Sequence, residues 1–210
     1  MAEVAGVILA GGLATRMGGG DKALLSLDDR REAGRTLLDE VVARLRPQCA
    51  RLVLNANGDA ARFARFGLPV VADAGDDRPG PLAGILAGMD WAAANGLTAI
   101  VTVAADTPFF PLDLVARLHE AAAMAGLPIA LAASPDDAGT MRRHPTFGLW
   151  PVHLREDLRA TLADGQRKVV AFADRHGAAV AAFAGGPPDP FFNVNTPADL
   201  AQARSIPAAE

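Results

Sequence analysis

The chain opens with a short apolar run, Val4 to Leu9, that passes directly into a glycine-rich loop, Leu9-Ala10-Gly11-Gly12-Leu13-Ala14-Thr15-Arg16-Met17-Gly18-Gly19-Gly20-Asp21-Lys22. No other feature constrains the fold as strongly. A short, wholly apolar run ended by glycine reads as a strand buried on both faces, and such strands belong to parallel sheets covered by helices. The loop carries five glycines in fourteen residues, with Arg16 and Lys22 among them. Glycine lets backbone N–H groups come close to a ligand. A loop of this kind leading toward a helix makes an anion nest, and Arg16 and Lys22 add charge that the amides lack. The residues point to a nucleoside triphosphate and to chemistry at one of its phosphates.

Two common phosphate-binding patterns are excluded. The P-loop requires Gly-x4-Gly-Lys-Ser/Thr, whereas Lys22 follows Asp21 and precedes Ala23, so no hydroxyl is placed for magnesium. A dinucleotide fingerprint fits only through Gly18, Gly20 and Ala23, away from a strand end.

Periodicity along the rest of the chain alternates strand and helix. Thr36 to Leu45 is amphipathic at helical spacing, with Leu37, Leu38, Val41, Val42 and Leu45 inward. Thr36 is its N-cap and Asp39 the reciprocal partner. Strands are predicted at Arg51–Asn55, Pro69–Ala72, Thr98–Ala104 and Ile129–Ala133. Helices are predicted at Ala60–Phe66, Leu82–Asn95 and Pro111–Ala125, the last begun by Pro111. Beyond Thr140 the rhythm changes: strands at Thr146–Trp150 and Ala178–Phe183, helices at Leu154–Leu162, Val169–Arg175 and Pro197–Arg204. The expected fold class is α/β, a Rossmann-like, mostly parallel sheet with helices on both faces. Residues 1–210 are expected to form one domain, with nucleotide bound by the part up to about residue 110 and the acceptor site completed by the remainder.

Bulk properties narrow the function. Net charge is −4 with no basic stripe, which argues against nucleic acid as a partner. Cys49 is the only cysteine, so no intramolecular disulfide forms, and its apolar surroundings suit a core thiol. No secretory leader pattern is present, and no apolar run reaches the ~20 residues needed to span a bilayer. A cytoplasmic protein without membrane attachment is expected.

In open α/β sheets, ligands bind beyond the carboxyl ends of the strands. Asn55 ends the second strand, where a carboxamide can read a base or ribose. Asp73 ends the third, where its carboxylate can accept from a guanine edge or from ribose. Gly80-Pro81-Leu82-Ala83-Gly84 opens a helix whose free amides face a base or phosphate. Asp106, in Ala105-Asp106-Thr107-Pro108, is delivered by an apolar strand, and a charge there needs a partner. Mg²⁺ with phosphate oxygens is suited to it. His144, before Pro145 and after a charged Met141-Arg142-Arg143 loop, is held extended and is either an acceptor contact or a turn residue. Arg167 and Lys168 stand at a helix start, against the macrodipole preference, which an anionic ligand or solvent explains. Asn193 and Asn195 alternate on one face of an extended segment before Thr196, the cap of the final helix, with Pro197 and Asp199 following. The four histidines lack zinc-ligand spacing.

Taken in order, LAGG through Asp21-Lys22, NAN, Asp73, GPLAG, DTP, HPT, GQRKV and NVNTP resemble the molybdenum cofactor guanylyltransferases. That resemblance implies a nucleotidyltransferase fold and transfer of GMP from GTP to molybdopterin carrying molybdenum, with release of pyrophosphate. It implies Leu9, Ala10, Gly11, Lys22, Asn55, Asp73 and Asp106 as the GTP-binding set, joined by Gly12 and by Gly80, Pro81 and Leu82. Asp106 would also hold Mg²⁺, and Arg16, Lys22 and Asp106 would carry catalysis. His144, Arg167, Lys168, Asn193 and Asn195 would shape the acceptor side, and molybdoenzymes or their chaperones would be further partners. The alternatives are a cytidylyl, uridylyl or sugar-phosphate nucleotidyltransferase using the same loop, and a non-catalytic carrier of nucleotide or cofactor. The carrier would have no need of Asp106.

Overall fold

The computed structural model describes residues 3–11, 21–28, 34–73, 80–136 and 138–206. Gly12 and Arg16 lie outside the described residues, as does most of the loop between them and Asp21.

Among the described residues, seven strands form one sheet. They are β1 (Val4–Leu9), β2 (Arg51–Asn55), β3 (Val70–Val71), β4 (Ala99–Ala104), β5 (Ile129–Pro135), β6 (Met141–Pro151) and β7 (Ala178–Ala182). Their order is β3-β2-β1-β4-β6-β5-β7. β6 runs antiparallel to both neighbours, and the remaining pairs are parallel. The helices are α1 (Leu37–Leu45), α2 (Pro81–Ala94), α3 (Leu114–Ala125), α4 (Arg155–Ala163), α5 (Val169–His176) and α6 (Pro197–Ser205).

Alternation along the strands feeds two cores, one on each face. Val4 and Ile8 of β1 and Val101 and Val103 of β4 face α1 and α3, meeting Leu38, Val41, Leu114 and Leu118. Ala5 and Val7 of β1 face α2 and α5, meeting Ile85, Met89 and Phe172. Covering both faces is what makes the central strands continuously apolar. Thr102 is the exception inside β4. It is fully buried and satisfied by the indole N–H of Trp150 at 3.0 Å. Cys49 packs against the first core, and burial pushes its thiol up to about 12.

α1 is capped as its sequence requires. The Thr36 hydroxyl accepts from the Asp39 amide, and the Asp39 carboxylate accepts from the Thr36 amide. Burial alone would raise the Asp39 pKa, yet the Thr36 hydrogen bonds and the Arg65 guanidinium outweigh it and hold the carboxyl low.

Several boundaries differ from the sequence reading. Ala60–Phe66 is a 3₁₀ segment, closed by Gly67 in the left-handed region. The third strand shrinks to two residues at the sheet edge. Pro111 does not start α3; it precedes a turn, and the helix begins at Leu114. Met141-Arg142-Arg143 is no loop but the first part of β6. Its polar side chains conceal the strand because they meet a cavity and an ion pair with α5 rather than a core.

The chain runs β1 to β2 to β3 on one side of β1, then returns to place β4 on the other. This reversal is a topological switch point, where open α/β sheets form a ligand crevice. Leu9 and Ala104 are register partners there, and Gly11 and Asp106 follow them.

Candidate active site

The crevice holds a cavity of about 370 Å³ lined by Leu9, Gly11, Asn55, Asp73, Gly80, Pro81, Ala104, Asp106, Thr146 and Asn193. Most of these residues stand where the sequence places a nucleotide. Two do not line it. Ala10 is buried, its amide donating to the Asn55 carbonyl at 2.8 Å. The Leu82 side chain is fully buried in the core beneath α2, because helical phase turns it toward the sheet.

One end of this cavity is a ring of amides around a carboxylate. Asp73 accepts from Asn55 Nδ2 at 2.9 Å on one oxygen and from Asn57 Nδ2 at 2.8 Å on the other. The Asp73 amide donates back to Asn57 Oδ1 at 2.9 Å. Each carboxylate oxygen has two acceptor positions, so the carboxylate is aligned while keeping one position per oxygen. Asn57 is the residue the sequence reading passed over. Its signal was the two-residue spacing from Asn55.

Gly84 serves this end by having no side chain. A Cβ there would collide with the Asn55 carboxamide and would stand 2.9 Å from the Leu9 side chain. Four residues on, a Cβ at Gly88 would come within 2.6 Å of Val7. The two glycines let α2 lie close on β1 and bring its N-terminus, Gly80 and Pro81, to the cavity.

The other end is built from three distant parts of the chain. Lys22 Nζ donates to Asp106 Oδ2 at 2.6 Å, Asn195 Oδ1 at 2.5 Å and Asn193 Oδ1 at 3.3 Å. The charge that Asp106 needs is therefore met by the Lys22 ammonium, with side chains only 11% and 24% exposed. The Val194 amide donates to the Asp106 carbonyl at 2.9 Å, pinning the 193–195 segment to the end of β4. Alternation then turns Asn193 and Asn195 to Lys22, while Val194 is fully buried against Leu37, Phe109 and Leu200. Asp199 holds the Asn195 and Thr196 amides, each at 2.8 Å. Burial, which would raise the Asp199 pKa, is outweighed by these bonds and by the Lys22 charge, so its carboxyl is held low.

Asn193 and Thr146 also line a second, larger cavity of about 1070 Å³, together with Thr107, Asn195, His144, Ser134, Arg142 and the 185–189 loop. The Lys22–Asp106 cluster lies at the junction of the two. His144 sits on β6, not in a turn. Its Nε2 is 2.8 Å from the buried Ser134 hydroxyl, and its ring stacks on Phe191 at 4.2 Å. Burial lowers its pKa, the Asp189 charge opposes that, and the Arg142 charge adds to it.

Arg167 and Lys168 line neither cavity. Arg167 donates to the Leu162 carbonyl in the last turn of α4 and to the Gln166 carbonyl in the loop that follows. Lys168 is the residue before α5 and is exposed. Their cationic pattern reflects helix termini and solvent rather than an anion in either cavity.

Sheet order, a crevice at the switch point and a lysine–carboxylate pair between two cavities define a nucleotidyltransferase-type α/β protein. Solved structures agree on the fold. Molybdopterin-guanine dinucleotide biosynthesis protein A from Archaeoglobus fulgidus superposes with a TM-score of 0.69 at 21% identity, covering 96% of this chain and 97% of that one. A 4-diphosphocytidyl-2C-methyl-D-erythritol synthase from Anaerococcus prevotii superposes with a TM-score of 0.66 at 14% identity, covering 97% and 95%. Residues 6–199 match the MobA-like NTP transferase domain, and the chain belongs to that family. A molybdenum cofactor guanylyltransferase from Rhodopseudomonas palustris is 55% identical over 95% of this chain and 92% of its own length. Another, from a Bradyrhizobium species, is 53% identical over 99% and 94%. Among the described residues, no helix is long and apolar enough to cross a membrane.

Proposed function

We infer that this protein transfers GMP from GTP to molybdopterin carrying molybdenum and releases pyrophosphate. The observation that carries the reading is the Lys22–Asp106–Asn193–Asn195 cluster at the junction of the two cavities. A nucleotide held in the smaller cavity meets an acceptor held in the larger one at this cluster. Relatives at about half identity or better are molybdenum cofactor guanylyltransferases, which supports the substrate pair.

In this reading Asp73 accepts N1–H and N2–H of guanine, one on each aligned oxygen, while Asn55 and Asn57 keep it from rotating. Adenine offers no such pair of adjacent donors. Gly11 and the start of α2 approach the phosphates. The acceptor's terminal phosphate attacks the α-phosphorus in line as pyrophosphate leaves. The acceptor is already an anion, so the protein supplies no general base. Its contributions are positioning and neutralisation of charge. Lys22 shifts from Asp106 toward the phosphates and stabilises the charge that develops there, with Arg16 toward the leaving pyrophosphate. Asn193 and Asn195 hold the lysine in line. On the acceptor side, His144 and its Phe191 stack form part of the wall.

Mg²⁺ fits the donor set. Among the described residues, Asp106 Oδ1 is engaged only by the Thr107 hydroxyl at 3.3 Å, and the neighbouring Asn193 and Asn195 carboxamide oxygens are hard donors as well. No group of three or more His, Cys, Asp or Glu residues suited to a metal occurs among the described residues. A single carboxylate completed by phosphates and water is the usual Mg²⁺ arrangement. When bound, the ion would neutralise phosphate charge beside Asp106.

Titration calorimetry with GTP, CTP, ATP and UTP in the presence of Mg²⁺ tests the assignment. GTP is expected to bind well above the other three. Preference for CTP would move the protein to the cytidylyl transferases, and equal binding of all four would remove Asp73 as a reader of guanine.

A further inference from the structure

Arg62 belongs to no motif, yet it joins the two ends of the smaller cavity. Its Nε is 2.5 Å from Asp21 Oδ2 in an ion pair, with side chains 25% and 24% exposed. Nη2 donates to the Asn57 carbonyl at 2.5 Å, and Nη1 donates to the Asp59 carbonyl. The guanidinium lies 4.5 Å above the Phe63 ring, itself fixed in the core. A planar fork that meets a carboxylate, two carbonyls and a ring face has little freedom.

We propose that Arg62 is a positioning residue that couples the base end of the nucleotide site to its phosphate end. Asp21 shares a peptide with Lys22, so the Arg62–Asp21 pair orients the backbone from which Lys22 departs toward Asp106. The pair also neutralises a carboxylate that would otherwise stand beside the phosphate loop and repel a polyphosphate. At the other end, Arg62 holds the Asn57 backbone, and the Asn57 carboxamide makes two hydrogen bonds with Asp73. The chain of contacts runs Lys22, Asp21, Arg62, Asn57, Asp73 without a gap. It draws on the 3₁₀ segment Ala60–Phe66, which also sets Phe63 in the core and Arg65 on the α1 cap. The proposal rests on the reading of this cavity as a GTP site.

The test compares Arg62→Ala, Arg62→Lys and Asp21→Asn in two measurements. One is kcat for pyrophosphate release with molybdopterin as acceptor. The other is the Kd for ITP, which lacks the 2-amino group, divided by the Kd for GTP, a ratio that reports the base end. Arg62→Ala is expected to lose about tenfold in each, the size of the charge-assisted hydrogen bond to the Asn57 carbonyl at the base end and of the partly buried ion pair with Asp21, which Nε meets without a hydrogen bond, at the phosphate end. Arg62→Lys restores a charge to Asp21 but cannot reach two carbonyls as well, so kcat recovers and the ratio stays low. Asp21→Asn lowers kcat and leaves the ratio. A merely structural arginine would lower the melting temperature and leave both quantities unchanged per folded molecule, and that result overturns the proposal. If the unsubstituted protein itself fails to prefer GTP over ITP, the guanine reading fails, and the base half of the coupling falls with it. If it discriminates and Arg62→Ala discriminates equally, the coupling alone is wrong.

Discussion

Lys22 makes more of the site than any other side chain, with one carboxylate and two carboxamides around its ammonium. A donor aimed at developing charge accounts for about 10²–10³ in rate when removed. Lys22→Ala is therefore expected to lose roughly that factor in kcat, with a smaller change in the Kd for GTP. Single-turnover pyrophosphate release and calorimetry separate the two, and an unchanged kcat would remove Lys22 from the chemistry. Asp106→Asn keeps the shape but not the charge. It should raise the Mg²⁺ concentration needed for half-maximal rate, read from a metal titration at saturating GTP. If the titration does not move, the ion is held elsewhere. The residue scale also explains two misplaced expectations. Arg167 and Lys168 look like an anion site when only the neighbouring letters are read. In space, Arg167 is engaged by a carbonyl in the last turn of α4 and by one in the loop after it.

Elements place these residues, and their termini are where sequence and function meet. α6 is capped by a reciprocal box of Thr196 and Asp199, and the same Asp199 carboxylate holds the Asn195 amide. Asp199→Ala is expected to cost about 1 kcal/mol of stability, as for other caps. It should also lower kcat, because Asn195 loses its anchor beside Lys22. A thermal melt with a kcat measurement checks both, and loss of stability with kcat intact would limit Asp199 to capping. α2 makes a second case. Gly84 and Gly88 each cost helix stability of about 1 kcal/mol relative to alanine, but both are needed for the close approach to β1. Gly88→Ala presses on Val7 and should lower the melting temperature, with GTP affinity retained in the folded fraction. Gly84→Ala presses on Asn55 and should weaken GTP binding as well. Equal GTP affinity in the two variants would show that Asn55 does not depend on that approach.

The whole molecule carries a pH dependence that no single element does. His119, His144 and His176 all have pKa values below the ordinary 6.5, in each case first because burial disfavours the imidazolium. Below 6.5 the unfolded chain then binds more protons than the folded one, so stability rises with pH through this range. It is complete above 6.5 and declines as pH falls from 6.5 toward the folded values. The carboxyls held low, Asp39, Asp174, Asp199 and the exposed Glu156, contribute stability that is complete above their ordinary 3.8 to 4.5 and is lost only as pH falls below it. A melting temperature followed by fluorescence of the buried Trp150 should therefore fall between pH 7.5 and 5.5. It should fall less in His144→Gln, and an unchanged value across that range would mean that the burial of these rings costs nothing.

Local chemistry carried a large part of this protein. The apolar run Val4–Leu9 is β1, both Thr-x-x-Asp boxes cap helices, and Asn55, Asp73 and Asp106 stand at or just beyond the carboxyl ends of strands. Each depends on neighbours a few residues away, through periodicity, capping or the end of an apolar run. The tertiary structure alone decided the rest. It reversed β6 and made a strand of Met141-Arg142-Arg143, whose polar side chains are satisfied by a cavity and by Asp174 on α5. It brought Asn195 to Lys22 across 173 residues and Arg62 between Asp21 and Asn57. A charged or amide side chain declares in its own sequence that it needs a partner. Which partner it meets depends on how the sheet orders its strands, and no local pattern encodes that order.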